Sequence, residues 1–336
     1  RNLGPAPEPN ITIFWDPALP DGYKEFCAAI SIETSSIQYE SDKQIRDQWG
    51  DDAAIACCVS PMAVGKQMQF FGARVNAAKA LLYAINGGRD EVSGKQVVDG
   101  YEAIQGDGPL DFDEVWQKYE EMLDWVVGTY VEALNIIHYC HDKYAYEAVE
   151  MALHDSDIVR SMGCGIAGLS IVADSLSAIK YAKVYPVRDE TGLIVDYKTE
   201  GDFPFYGNDD DRADDIAATI VHTVMEKIKA IPMYRNAIPT QSVLTITSNV
   251  VYGKATGSFP SGHEAGTPFA PGANPENGAD NHGMVASMLS VGKLDYKDAL
   301  DGISLTNTIT PSGLGRTPEE RITNLVGVLD LSLIHI

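Results

Sequence analysis

The chain has 336 residues, 45% of them hydrophobic, and carries 25 Lys and Arg against 48 Asp and Glu, a formal net charge of -23 at pH 7. A chain of this size can bury a large core, while its charge repels phosphate backbones and anionic lipid, which argues against nucleic acid and membrane surfaces as partners. No apolar run reaches the roughly 18 residues of a membrane span, and the opening "RNLGPAPEPN" lacks the regions of a signal peptide, so a cytoplasmic location is expected.

In chain order, "NITIFWD" (10–16) reads as a strand from its alternation and its β-branched and aromatic content, with "AAISIETSSIQYES" (28–41) and "AAIACCV" (53–59) as two more. "GARVNAAKALLYAINGG" (72–88) is rich in helix formers and stops at Gly87 and Gly88. The longest helical pattern, 111–143, repeats Val115, Tyr119, Met122, Val126, Tyr130, Ala133 and Ile137 on one face, and Asp111 with Glu114 forms an N-terminal cap. Further helices are predicted at 167–183 and at 214–231, the second halted by Pro232. A strand is predicted at 241–254, and residues 266–283 form a loop dense in Gly, Pro and Asn. Strands alternating with helices give an α/β class with much parallel pairing, read as one continuous domain.

Five cysteines, an odd number in a long chain, do not make a disulfide framework. Cys27, Cys140 and Cys164 lie in apolar contexts and are expected to be small buried hydrophobes. Cys57 and Cys58 are adjacent, and neighbouring Cα atoms about 3.8 Å apart disfavour a bridge between them. Successive strand residues point to opposite faces, so both thiols reach one substrate only from a strand end or loop tip, which Pro61 and Gly65 supply. Arg74 follows "FFG" at the opening of the next predicted helix, where its guanidinium can grip a carboxylate, with Phe70 and Phe71 as apolar walls. Taken alone, the same residues also read as a buried strand and a solvated arginine.

His138 and His141 lie one turn apart near Asp142 and His154, but the spacing reads as a helix face and no metal is expected. Nothing around His263, in "PSGHEAG", assigns it a role. No GxGxxG after a strand, no P-loop and no GxSxG elbow occurs, which removes support for nucleotide-binding oxidoreductases and serine hydrolases.

The stretch "IACCVSPMAVGKQMQFFGAR", with "LLYAINGG", "MALHDSDIVRSMGCGIAGLSIVADSLSAIKYAKV", "YRNAIPTQSVLTITSNVVYGK", "PFAPGANP" and "DGISLTNTITP", resembles the pyruvate formate-lyases, the formate C-acetyltransferase branch of the glycyl-radical enzyme family. The resemblance covers nearly the whole chain. It implies part of a ten-stranded α/β barrel with the cysteines on a central finger loop. It also implies radical cleavage of pyruvate with coenzyme A to acetyl-coenzyme A and formate. Cys57 would add to the pyruvate carbonyl and hold the acetyl group, Cys58 would relay the radical, Arg74 would bind the carboxylate and Phe71 would line the pocket. Coenzyme A is then a co-substrate, a radical-SAM activating enzyme a partner, and a homodimer the expected assembly.

Departures from that pattern shape the expected organisation. The radical-glycine signature close to "RVSGYA" does not occur, so residues 1–330 read as part of the catalytic domain, without a glycyl-radical domain and with the radical on a glycine outside this chain. Residues 331–336, "LSLIHI", read as an unrelated tail, and the piece is expected to be inactive alone. Many members carry two basic residues where this chain has His263 and Glu264. Three alternatives stand beside the main reading: a 2-ketobutyrate formate-lyase, a non-catalytic subunit with a binding role, and a polar thiol acyltransferase using a histidine.

Overall fold

The computed structural model describes residues 11–245 and 247–335, and within them the side chains of Phe71, Tyr146 and Glu150 lie outside the description. Where the sequence suggested one continuous domain, the chain divides into two compact units, residues 1–64 with 307–336, and residues 65–306.

The first unit opens with a β-α-β crossover. Strand β1 (Ile11–Trp15) and strand β2 (Ile37–Ser41) pair in parallel, Ile11 opposite Ile37 and Trp15 opposite Ser41. Helix α1 (Asp21–Thr34) joins them, as a parallel connection requires. Residues 28–34 are therefore helical, not extended. Pro20 and Asp21 start the helix, and it buries Cys27, Ala28 and Ile30. Ile30 and Ile32 imitated a strand alternation; only 37–41 of that prediction is a strand. Helix α2 (Asp42–Trp49) follows, then a hairpin of β3 (Ala53–Ile55) and β4 (Pro61–Ala63).

The second unit is built on a parallel sheet. Its strand β5 (Gln67–Phe71) and the two-residue β6 (Val75–Asn76) both pair with β7 (Val159–Ala167), whose other edge pairs with β10 (Ile238–Val243). Between them run α3 (Ala77–Ile85), α4 (Phe112–Asp142), α5 (Tyr146–Glu150), α6 (Leu169–Tyr181), the antiparallel pair β8 (Lys183–Arg188) and β9 (Ile194–Glu200), and α7 (Asp211–Lys229). After β10 come α8 (Ser248–Lys254) and α9 (Met284–Gly292). The strand expected at 241–254 thus ends at Val243, and its β-branched second half turns helical. Pro239 is tolerated because β10 is the sheet edge.

The α4 cap is as expected, with the Asp111 carboxylate accepting from the Glu114 N–H at 3.0 Å. Its buried stripe starts at Val115, Tyr119 and Met122, then shifts to Leu123, Val127, Val131, Leu134 and His138, leaving Ala133 and Ile137 exposed. The apolar members of this stripe enter one core with α3, α6 and α7, around Phe70, Leu81, Met162 and Ile166. Among the described residues no helix is long and apolar enough to cross a membrane.

The chain re-enters the first unit as α10 (Pro311–Leu314) and α11 (Pro318–Asp330). Thr317 and Glu320 form a reciprocal capping box at the start of α11, and Asp330 at its end accepts from Trp15 Nε1 and Lys24 Nζ, each at 2.8 Å.

Replacing the α4 cap, Asp111→Ala, is expected to lower stability by about 1 kcal/mol, read from the urea midpoint, because one first-turn N–H loses its acceptor.

Candidate active site

Strand β3 ends at Ile55, and the N–H of Ala56 donates to the Ser60 carbonyl at 2.8 Å, closing the hairpin. Cys57 and Cys58 occupy the tip beyond that bond. Freed from the strand alternation, their sulfurs lie 3.7 Å apart, far beyond the about 2.05 Å of a disulfide, so the pair is not bridged. Cys57 is exposed and Cys58 half-buried. The Gln38 side-chain amide donates to the Cys58 carbonyl and, at 2.9 Å, to Glu40 Oε1. Burial pushes the Glu40 carboxyl up to about 8, the Gln38 hydrogen bond opposing the shift. At neutral pH this carboxyl is mostly protonated, so β2 supports the thiol-bearing tip through a largely uncharged contact.

Arg74 belongs to the second unit. The sequence placed it in the first turn of a helix, but α3 begins only at Ala77, with Asn76 as its cap accepting from the Lys79 N–H at 2.9 Å. Arg74 instead lies between β5 and β6. Phe71 pairs with Gly163 and Val75 with Ile166, so four residue steps on one side face three on the other. The extra residue bulges the chain out of the ladder, as bulges do where a side chain must be re-aimed.

The bulge fits because glycines stand on both sides of the contact, Gly72 in the loop and Gly165 on β7. A Cβ on Gly72 would fall 2.0 Å from the Gly163 carbonyl oxygen, and a Cβ on Gly165 would fall 2.7 Å from Ser242 Oγ and 3.0 Å from Arg74 Cγ. Two tyrosines hold the loop. The Tyr130 hydroxyl donates to the Ala73 carbonyl while accepting from the Gly165 N–H at 3.1 Å, and the Tyr252 hydroxyl donates to the Arg74 carbonyl at 3.4 Å. Tyr130 is held well above its ordinary pKa, chiefly by burial, with the nearby Arg74 charge pulling the other way. Arg74 Nε is buried and has no hydrogen-bond partner among the described residues.

Phe71 contributes its backbone to β5, and its expected role as a pocket wall falls on a side chain outside the described residues. Cys27 and Cys164 are buried as expected, Cys164 being pushed up to about 12 by burial, whereas Cys140 is exposed, because its position on α4 falls outside the buried stripe. His263 faces inward: Nδ1 lies 2.7 Å from Glu276 Oε2, and its ring packs 5.8 Å from those of Phe259 and Phe269. Glu276 thus provides the partner for the histidine that stands in a basic pair's place.

Sequence reasoning missed Tyr130, Tyr252, Gly165 and Gln38, whose side-chain or backbone contacts cross 35, 178, 77 and 20 residues. It also missed the trio His222, Glu226 and Asp298, whose candidate ligand atoms lie within 4.8 Å of one another. The four-residue step from His222 to Glu226 was a usable signal; Asp298, 76 residues on, was not.

This architecture matches solved structures over nearly all of its length. A glycyl radical enzyme from Archaeoglobus fulgidus superposes with a TM-score of 0.80 at 20% identity, covering 97% of this chain and 45% of that one. The glycerol-bound form of the B12-independent glycerol dehydratase from Clostridium butyricum gives 0.80 at 22%, covering 96% and 45%. The fold is therefore that of part of a glycyl-radical enzyme α/β barrel, represented here by its parallel sheet and flanking helices.

The family model described as "Pyruvate formate lyase-like" matches residues 1–253, and the chain belongs to that family. A second model, "Glycine radical", matches residues 269–333, a stretch that the sequence reading kept within the catalytic domain. Formate acetyltransferase 1 of Escherichia coli (strain K12) is 59% identical over 329 residues, which make up 98% of this chain and 43% of that protein. The chain thus spans less than half the length of this relative.

Two outcomes test the geometry. Gly165→Ala forces Ser242 or Arg74 to move and is expected to cost about 1 to 3 kcal/mol in denaturant unfolding, as overpacking does. A carboxyl raised from 4.5 to about 8 on folding keeps its contribution below the lower value and loses it as pH climbs through the upper one. Urea midpoints are expected to fall between about pH 5 and pH 9, and Glu40→Gln to flatten that fall; an unchanged slope would remove Glu40 as its source.

Proposed function

We propose that this chain forms the thiol-bearing part of a pyruvate formate-lyase, which cleaves pyruvate with coenzyme A to acetyl-coenzyme A and formate. The observation that carries this reading is the pair of thiols, 3.7 Å apart on a hairpin tip, in a chain 59% identical to a formate acetyltransferase. Cys58 exchanges a hydrogen atom with a glycyl radical, and Cys57 as a thiyl adds to the pyruvate carbonyl carbon. Breaking the carbon–carbon bond leaves the acetyl group as a thioester on Cys57. The one-carbon fragment then takes a hydrogen atom to become formate, and coenzyme A collects the acetyl group.

Hydrogen-atom exchange between sulfurs needs neither thiolate nor general base, unlike histidine-activated cysteine catalysis. Closeness of the two sulfurs is what such a relay demands. Arg74 binds the substrate carboxylate; the support is its buried Nε, which has no acceptor among the described residues, since a desolvated donor gains most from a charged partner. The radical resides on a glycine outside residues 1–336 and is installed by a radical-SAM activating enzyme, and the enzyme works as a cytoplasmic homodimer. Support for the placement of the glycine is that no "RVSGYA"-like string occurs in the sequence.

The test is formate release from pyruvate and coenzyme A by the complete gene product, activated without oxygen by such an enzyme, S-adenosylmethionine and a reductant. Cys57→Ser and Cys58→Ser are each expected to abolish turnover. Arg74→Lys is expected to raise KM for pyruvate about tenfold, the equivalent of a charge-assisted hydrogen bond. Full turnover by the Cys58→Ser enzyme would overturn the relay.

A further inference from the structure

Helix α7 carries His222 and Glu226 one turn apart, and Asp298, in the turn after α9, meets them: His222 Nδ1 lies 2.7 Å from Asp298 Oδ2. Candidate ligand atoms of all three lie within 4.8 Å of one another. Asp298 is buried, whereas the His222 and Glu226 side chains are exposed. The backbone beneath is fixed. The buried Gln241 amide donates to the Val221 carbonyl at 3.0 Å and to the Asp298 carbonyl at 2.9 Å, tying the helix to the turn next to the ligand positions.

The two carboxylates already share positive charge. Lys229 Nζ lies 2.9 Å from Glu226 Oε1 and 3.6 Å from Asp298 Oδ1. His222 and Glu226 also line a cleft of about 570 Å³ together with Glu120 and Asp124.

We propose that His222, Glu226 and Asp298 form a binding site for a divalent transition-metal ion of the zinc class. The ion takes one imidazole nitrogen and two carboxylate oxygens, displaces the Lys229 ammonium, and keeps its remaining positions for water in the cleft. Ligand bonds of about 2.0 to 2.2 Å bring three donors around one ion with small rotations of the two exposed side chains. An imidazole among the donors selects zinc, nickel or cobalt over magnesium and calcium, which prefer oxygen alone. Lys229 is the natural competitor: its flexible stem lets it swing into solvent when a doubly charged ion arrives. The site uses none of the residues assigned to the thiol chemistry, so it stands independently of that reading.

The test is calorimetric titration of Zn²⁺ into the 336-residue chain with the exposed or half-buried thiols replaced (Cys57→Ser, Cys58→Ser, Cys140→Ser), with Co²⁺ absorption as a second readout of imidazole ligation. One saturable site is expected, lost in His222→Ala, weakened at least about tenfold in Asp298→Asn and tightened in Lys229→Met. Binding that survives His222→Ala unchanged would overturn the proposal. So would the absence of saturable binding in both the parent and the Lys229→Met chain.

Discussion

The second unit depends on how closely two backbones approach β7. A Cβ on Gly72 would collide with the Gly163 carbonyl, and a Cβ on Gly165 would meet Ser242 and Arg74, so the 72–74 loop lies directly against the strand. That contact expels Arg74 from the ladder, lets Tyr130 bridge the loop to β7, and leaves the guanidinium Nε buried with no acceptor among the described residues. Glycine usually weakens a strand. Here the loss is offset by the closeness it permits, and the strand is held on both edges by β5, β6 and β10.

The first unit solves a different problem with a turn. Two adjacent residues of a strand cannot present their side chains to one place, but two residues at a hairpin tip can, and the Ala56–Ser60 bond sets where the tip begins. The Gln38 amide then fixes the Cys58 backbone from a neighbouring strand, with a mostly protonated Glu40 behind it. Both devices place reactive groups on irregular backbone carried by regular elements, the usual division between scaffold and site.

Legibility in the sequence followed physical locality. Helix α4 was readable because 31 residues of periodicity and a side-chain cap act within a few positions of each other. Residues 28–34 misled because Ile30 and Ile32 alternate, while the Pro20–Asp21 start that commits them to a helix lies several residues upstream. Strand β7 drew no prediction because two glycines interrupt its apolar run, and the side chains that crowd them, Gln69, Arg74, Ser242 and Asp301, are distant in the chain. The 248–254 segment carries a β-branched pair, yet it coils into α8, where Gly253 packs against the Thr267 carbonyl.

The sequence by itself determined the α/β class, the family resemblance, the vicinal cysteines at a turn and the candidacy of Arg74, because each rests on residue type and short-range spacing. Only the tertiary structure decided that Arg74 sits on a bulge and not on a helix, that His263 turns inward to Glu276, that Gln38 and Glu40 stand behind Cys58, and that Asp298 meets His222 and Glu226. Those facts depend on which distant backbones come within a few ångströms of each other, and chain order carries no direct record of that.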